Sequence, residues 1–180
     1  MKRVVVGAQL LLACAAALAD SWMFPAERSD KVYEFGRTKV VLTTDARHNQ
    51  VHPSFTLRIF DDGRLVAEHA DVAFQHLAAL DRQQLFIGVS NDGLPGTAMV
   101  IFDRAGHLLL KLDHAFKRFD YCRQSVTRIR EWVDPNDPAF VRDPATGQIS
   151  FIDCRGKRVF LDDLLRRSAG KGLDALRRPP

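Results

Sequence analysis

The chain has 180 residues, of which 46% are hydrophobic and 27% charged, and its formal net charge at pH 7 is +4. This composition is typical of a globular protein with a real hydrophobic core, and it excludes a collagen-like chain, a disordered chain and a cysteine-stapled mini-protein. The positive charge lies at the two ends: residues 20–165 carry 19 basic and 21 acidic side chains, so we predict no nucleic-acid binding by the folded domain.

The first 19 residues have the layout of a secretory signal peptide. Met1-Lys2-Arg3 is a short cationic start, residues 4–18 are almost entirely apolar, and Ala17-Leu18-Ala19 places small residues where a signal peptidase reads them. The apolar run is about fifteen residues, shorter than the ~20 that a membrane-spanning helix needs. We therefore predict cleavage before Asp20, no transmembrane span in the mature chain, and a periplasmic or secreted protein. Arginine outnumbers lysine by 19 to 7, which together with this layout indicates a bacterial source.

Cys14 offers a second processing route. Leu11-Leu12-Ala13-Cys14 resembles the lipobox of bacterial lipoproteins, in which cleavage before the cysteine leaves that residue lipidated. The apolar run before Cys14 is short and the downstream Ala-x-Ala site is good, so the sequence favours ordinary signal cleavage. A lipoprotein remains the alternative.

Short runs rich in Val, Ile, Phe and Thr follow the signal peptide, separated by Gly, Asp, Asn and Pro. Such runs are typical of antiparallel β-structure. The predicted strands are residues 32–35, 38–44, 55–60, 65–68, 85–89, 98–102, 108–112, 126–133, 149–153 and 158–161. Residues 72–80 are predicted to be strand, as a strand pair, with a short helix as the alternative.

A short helix is predicted over residues 161–167, with Asp162 and Asp163 complementing its amino end. Residues 166–180 are basic and contain Gly and Pro, which predicts a flexible tail. The fold class expected is mainly β: a single antiparallel meander or small sandwich with blade-like hairpins and a short C-terminal helix, all within one domain over residues 20–165.

One local pattern occurs three times. An apolar pair, an Asp and a turn ending in Gly follow one another at Asp61–Gly63, Asp103–Gly106 and Asp153–Gly156. An Asp followed by a Gly suits a hairpin, because the carboxylate can accept a turn N–H and Gly adopts positive φ. The glycines are 43 and 50 residues apart, close to the period of a propeller blade, but three units are too few for a closed propeller.

The connection between the predicted strands 85–89 and 98–102 is polar and rich in glycine. Loops held by a rigid sheet often carry binding residues. We take five residues of this connection as a possible recognition loop, with an ordinary hairpin loop as the alternative: Ser90, Asn91, Asp92, Gly93 and Thr97.

Cys122 and Cys154 are the two cysteines that remain after removal of the signal peptide. An even count in an exported chain predicts a disulfide between them. Closing this span of about 32 residues would stabilise the fold by roughly 3–4 kcal/mol in the chain-entropy estimate. No Cys-x-x-Cys spacing suggests a redox-active pair.

Signatures of the common enzyme classes are absent from the sequence. It contains no His-Glu-x-x-His, no phosphate-binding Gly-x-x-x-x-Gly-Lys and no Gly-x-Ser-x-Gly. The six histidines lack the spacing of a convergent ligand set. We therefore predict no catalytic residue, no metal and no cofactor. An enzyme with a site assembled from distant residues, for which Ser90, Asp103 and His107 are the best candidates, is the alternative.

The function expected is that of an exported, non-enzymatic protein that binds a partner, an unknown protein or small ligand, in the bacterial envelope. An inhibitor or immunity protein is one specific form of this hypothesis. The alternatives are a hydrolase or other enzyme whose site the sequence does not reveal, and an envelope component anchored by lipid at Cys14.

Overall fold

The described part of the chain is almost entirely antiparallel β-structure. A computed structural model describes residues 27–93, 96–115, 119–125, 129–134 and 139–166. The predicted signal peptide, Cys14, Asp20 and the tail beyond residue 166 lie outside the described residues. Among the residues within these ranges, no helix is long and apolar enough to cross a membrane.

The first sheet is a four-stranded meander in the order β1-β2-β3-β4. A tight turn at Asp62-Gly63, with φ of 48° and 74°, connects its third and fourth strands, which is the backbone geometry of a type I′ hairpin. Its strands are β1 (Arg28–Phe35), β2 (Thr38–Asp45), β3 (Ser54–Asp61) and β4 (Arg64–Ala70).

The second sheet repeats the same four-stranded meander, in the order β5-β6-β7-β8. Every residue of β6 is buried, as expected for a strand that is covered on both faces. Its strands are β5 (His76–Leu80), β6 (Leu85–Val89), β7 (Thr97–Asp103) and β8 (Leu108–Asp113).

The remaining residues form smaller elements. A two-stranded ladder joins β9 (Arg123–Gln124) to β10 (Arg130–Glu131). A three-stranded sheet contains β11 (Val141–Arg142), β12 (Ile149–Ile152) and β13 (Arg158–Phe160). The helix α1 (Leu161–Arg166) follows directly, with Asp162 and Asp163 in its first turn.

Two hydrophobic clusters lie on opposite faces of the second sheet. Because successive side chains on a strand point to opposite faces, β6 sends Phe86 to one cluster and Ile87 to the other. The first cluster packs the second sheet against the first: Val40, Leu42, Leu57, Ile59, Val72, Ala73, Phe74, Phe86, Val100 and Phe102. The second cluster packs it against the C-terminal elements: Leu85, Ile87, Val89, Ala98, Met99, Ile101, Phe119, Trp132, Val133, Phe140, Ile149, Phe151, Leu161 and Leu164. The second sheet is therefore the middle layer of the described structure.

The three Asp-turn-Gly patterns all form hairpins. Gly63, Gly106 and Gly156 have φ of 74°, 88° and 76°. In the second turn the Asp103 carboxylate accepts a hydrogen bond from the His107 N–H, and in the third Asp153 accepts one from Lys157, both at 2.8 Å. The prediction of a shared local turn is confirmed for these last two.

The third turn lies at a different place in the fold from the second. Asn91, just beyond the end of β6, donates from Nδ2 to the main-chain oxygen of Val133 at 3.1 Å, and Val133 forms a β-bridge with Asp153. The Asp153 turn is therefore beside the end of the middle sheet where β6 finishes and β7 begins. Asp103 ends β7, so its turn lies at the opposite end. The regular spacing of the three patterns does not mark equivalent blades.

The mainly-β fold with antiparallel hairpins and a short C-terminal helix is confirmed. The predicted strand over residues 72–80 is only partly right: residues 76–80 form β5, whereas Val72, Ala73 and Phe74 form a buried connection after Asp71, whose φ of 57° ends the extended backbone. Within the predicted strand 126–133, the described residues form only β10 and isolated bridges at Ile129 and Val133.

Candidate functional site

The predicted recognition loop is tied into the interior of the fold. The side chains of Ser90, Asp92 and Thr97 are buried, with exposures of 2%, 8% and 0%. Asn91 accepts hydrogen bonds at Oδ1 from the N–H groups of Trp132 and Val133, at 3.0 and 3.3 Å. Gly93 is partly exposed, and residues 94–95 lie outside the described residues. Within this loop the Asn91 side chain therefore connects the end of the middle sheet to the segment around Trp132.

Ser90, Asp103 and His107 are not brought together. His107 Nδ1 lies 2.9 Å from Asp103 Oδ2, and the His107 side chain is 75% exposed. The Ser90 N–H bonds the Ala98 oxygen, five residues before Asp103 on β7. At about 3.3 Å per strand residue, Ser90 and Asp103 are roughly 16 Å apart. These three residues do not form a Ser-His-Asp catalytic site.

His114 is a half-buried titratable group beside this loop. Burial lowers the pKa of His114 to about 4, and the charge of Arg130 acts in the same direction, against the opposing effect of main-chain oxygens of Asp92 and Ser90. Its Nδ1 lies 3.2 Å from the Tyr121 hydroxyl, which itself donates to the His114 main-chain oxygen at 3.0 Å. The imidazole is therefore neutral at pH 7.

A disulfide joins Cys122 and Cys154, as the sequence predicts. It links the segment before β9 to the turn between β12 and β13, with a Cα–Cα distance of 6.1 Å. In the same region Arg155 donates two hydrogen bonds to the carboxylate of Asp120, one of them from Nη2 to Oδ1 at 3.1 Å. A covalent bond and an ion pair thus connect the same two segments.

A groove of about 260 Å³ lies next to this disulfide, between residues 119–120, Trp132, the β12–β13 hairpin and α1. We call it the aromatic groove. Its buried lining comprises Phe119, Trp132, Phe151 and Leu164. The ring centroids of Phe119 and Trp132 are 4.4 Å apart, and those of Trp132 and Phe151 are 5.4 Å apart. The indole of Trp132 is held in place by a 2.9 Å hydrogen bond from Nε1 to the Ser90 main-chain oxygen.

Charged side chains surround the aromatic groove. The cations in its lining are Arg155, Lys157 and Arg158, and the carboxylates are Asp120, Asp153 and Asp163. Concave apolar surfaces with a few polar groups around them are the usual form of a binding site. The aromatic groove combines these two features.

A second, open depression of about 580 Å³ is lined mainly by polar side chains, among them Lys31, Gln75, Arg123 and Glu131. Its lysine is already engaged, because Lys31 Nζ donates to the Gln75 main-chain oxygen at 2.6 Å. This oxygen also accepts a hydrogen bond from the Tyr33 hydroxyl at 3.0 Å. The depression lacks the buried aromatic lining of the aromatic groove.

Within the described ranges, no group of three or more His, Cys, Asp or Glu side chains is placed to hold a metal ion. No protein-family model matches the chain, and comparisons with curated proteins and with solved structures give no significant match. The aromatic groove therefore has to be interpreted from its own chemistry.

The sequence did not reveal the aromatic groove. Trp132, Phe119 and Phe151 come from three separate segments, and each is an ordinary apolar residue in its own segment. The signal that connects two of these segments is the cysteine pair, since Cys122 follows Phe119 closely and Cys154 follows Phe151 closely. The disulfide prediction alone would have brought those two aromatic residues near each other.

Proposed function

We propose that this chain is an exported, non-enzymatic protein of the bacterial envelope, periplasmic or secreted, and that it holds a protein partner in the aromatic groove. The observation that carries the proposal is the groove itself, an apolar concavity surrounded by charge and braced by a disulfide. Large aromatic side chains and arginine are enriched where proteins bind one another.

The disulfide supports the export part of this proposal. Disulfides persist in oxidising compartments such as the periplasm and are rare in the bacterial cytoplasm. Intact mass of the protein recovered from its native envelope is expected to correspond to a chain that starts at Asp20. A lipidated chain that starts at Cys14 would contradict that processing and support the anchored alternative.

Binding rather than catalysis is supported by the state of two of the groove's carboxylates. Asp153 Oδ1 accepts hydrogen bonds from the N–H groups of Arg155 and Lys157, at 2.9 and 2.8 Å. Asp120 is engaged by the Arg155 guanidinium. Both carboxylates therefore hold the turn and the rim in place.

Site-specific photo-crosslinking in the native envelope tests the proposal. A benzophenone amino acid replaces Phe160, which lies at the groove and is 36% exposed. The matched control replaces Leu65 on β4, which is 53% exposed and belongs to the first sheet. One reproducible, stoichiometric adduct is expected from position 160 and not from position 65. The absence of any adduct, or the same adducts from both positions, would overturn the assignment of the groove as the binding site.

A further inference from the structure

We infer that the partner's contact in the aromatic groove is a protein segment that presents one large apolar side chain next to a carboxylate. This inference rests on the proposed function and specifies the chemistry of its site. It follows from the size of the groove, from the charges that remain available at its rim, and from the bracing of that rim.

The size of the groove favours a single side chain. Pockets for free small molecules usually enclose ~300–1,000 Å³. The aromatic groove, at about 260 Å³, is close to the lower limit of that range. It suits one inserted aromatic or large aliphatic side chain, packed against Trp132 and Phe151. Such desolvated pockets are where protein interfaces concentrate their binding energy.

The charges at the rim favour a carboxylate beside that side chain. Arg155 is neutralised by Asp120, and Asp153 is occupied by main-chain N–H groups. Lys157 and Arg158 form no ion pair within the described part of the chain, and Arg158 Nη1 donates only to the Ser150 hydroxyl at 2.9 Å. Asp163 also lines the groove, from the first turn of α1. Lys157 and Arg158 are thus the groove's cations without an ion pair among the described residues, and both are available to bind a carboxylate of the partner.

The same charges argue against the chain's own C-terminal segment as the occupant. Residues 167–180 contain Arg167, Lys171, Arg177 and Arg178 against the single acidic residue Asp174. A basic segment would meet like charge at Lys157 and Arg158. An acidic segment of another protein would meet opposite charge there.

The rim is also pre-organised. The disulfide at Cys154 lies between Asp153, which holds the turn, and Arg155, which bonds Asp120 across to the other segment. Because the turn carrying Lys157 is fixed before binding, less conformational entropy is lost when a ligand binds. The disulfide and the Arg155–Asp120 pair therefore help hold Lys157 where it would bind the partner's carboxylate.

Three short capped peptides test this inference on the full mature protein. The first carries Phe followed by Asp, the second Phe followed by Asn, and the third Ala followed by Asp, all within the same glycine context. The readout is the indole N–H signal of Trp132 in a two-dimensional NMR titration. We expect a saturable shift with the first peptide and an at least fivefold weaker dissociation constant with each of the other two.

Charge reversal at the rim provides the matched variants. Lys157→Glu is expected to weaken binding of the Phe-Asp peptide at least tenfold. Lys39→Glu, an equal charge change on the first sheet, should leave it within about twofold. The rest of the spectrum reports whether Lys157→Glu keeps its fold. Equal affinity for all three peptides, no saturable shift, or equal effects of the two variants would overturn the inference.

The two proposals fail in different ways. If a partner is captured at position 160 and Lys157→Glu does not change its capture, the proposed function stands. The inference that the partner presents a carboxylate is then wrong. A peptide that binds as expected, with no partner captured in the envelope, supports the groove chemistry and contradicts the proposed partner.

Discussion

Arg104, in the turn after β7, donates hydrogen bonds from Nε and Nη2 to one carboxylate oxygen of Asp61, at 3.0 and 2.8 Å. Asp61 ends β3, so this contact joins the first sheet to the middle sheet. Both side chains are only 22% exposed, and Arg37 donates to the same carboxylate. The first two Asp-turn-Gly hairpins are therefore joined to each other through Asp61 and Arg104.

Asp61→Asn tests the strength of this connection. The amide keeps the size of the side chain but loses the charge that both guanidinium groups bond, so we expect the free energy of unfolding to fall by about 1–3 kcal/mol. The control is Asp62→Asn, since Asp62 is 57% exposed and, among the described residues, pairs with Arg37 alone. Urea unfolding measures both variants. Equal losses would mean that the contact with Arg104 contributes nothing of its own.

Asn91→Ala removes the side chain that holds Trp132 and Val133. It leaves two main-chain N–H groups and the Val133 oxygen without their partner, so a loss of about 2 kcal/mol is expected. Asn49→Ala serves as the control: the Asn49 carboxamide also accepts two N–H groups, from Val51 and His52, but in an exposed loop. A loss of stability no larger than that of the control, measured by denaturant unfolding, would contradict this role of Asn91.

Gly106→Ala and Gly156→Ala compare two turns of the same local geometry. Both glycines have positive φ, which costs an alanine about 1 kcal/mol. A Cβ at Gly106 would lie 2.2 Å from the Ala67 Cβ on β4, whereas a Cβ at Gly156 would meet nothing within 4 Å. We expect thermal unfolding to show a loss at Gly106 that exceeds the loss at Gly156 by about 2 kcal/mol. Similar losses would show that Ala67 on β4 moves away from the added Cβ at little cost in stability.

The titration of His114 makes the free energy of unfolding depend on pH. Its pKa is lowered to about 4 in the fold, whereas the unfolded chain has the ordinary value of 6.5. Between these values the unfolded state binds more protons, so the free energy of unfolding falls as the pH drops from about 6.5 towards 4. After allowance for its partial exposure, the titration of His114 lowers the free energy of unfolding by about 1–2 kcal/mol over this interval.

The measurement for His114 is urea unfolding of the wild type and His114→Asn at pH 7 and pH 4.5. Asparagine retains a donor near the Tyr121 hydroxyl but does not titrate. The wild type is expected to lose more stability than the variant over this interval. Identical pH dependence in both proteins would show that His114 titrates normally.

The strands that the sequence predicted correctly are those in which apolar residues alternate or run together, such as β6 and β7. The strands it missed are short or polar. β9 and β11 have two residues each, too few to show a pattern, and the first half of β1, Arg28–Lys31, is polar and exposed. Backbone hydrogen bonds to β2 extend β1 through these residues. Such pairing cannot be recognised from the hydrophobicity of the side chains.

The candidate site was less accessible to sequence reasoning than the fold. A polar, glycine-rich connection favours a surface loop, but Ser90, Asp92 and Thr97 are buried. The segment around Trp132 contacts Ser90 and Asp92. These contacts come from residues some 40 positions later in the chain. No local pattern reports such a distant contact.

The middle sheet has a consequence for the way the chain is made. Its second face, with Ile87, Val89, Met99 and Ile101, is covered by described residues between 119 and 164, which are synthesised after both large sheets. A chain that stops before residue 119 would keep those four side chains on an open sheet surface, a form of exposure that promotes aggregation. Premature termination would thus yield insoluble or rapidly degraded fragments in place of a stable half, because the second face of the middle sheet would stay uncovered.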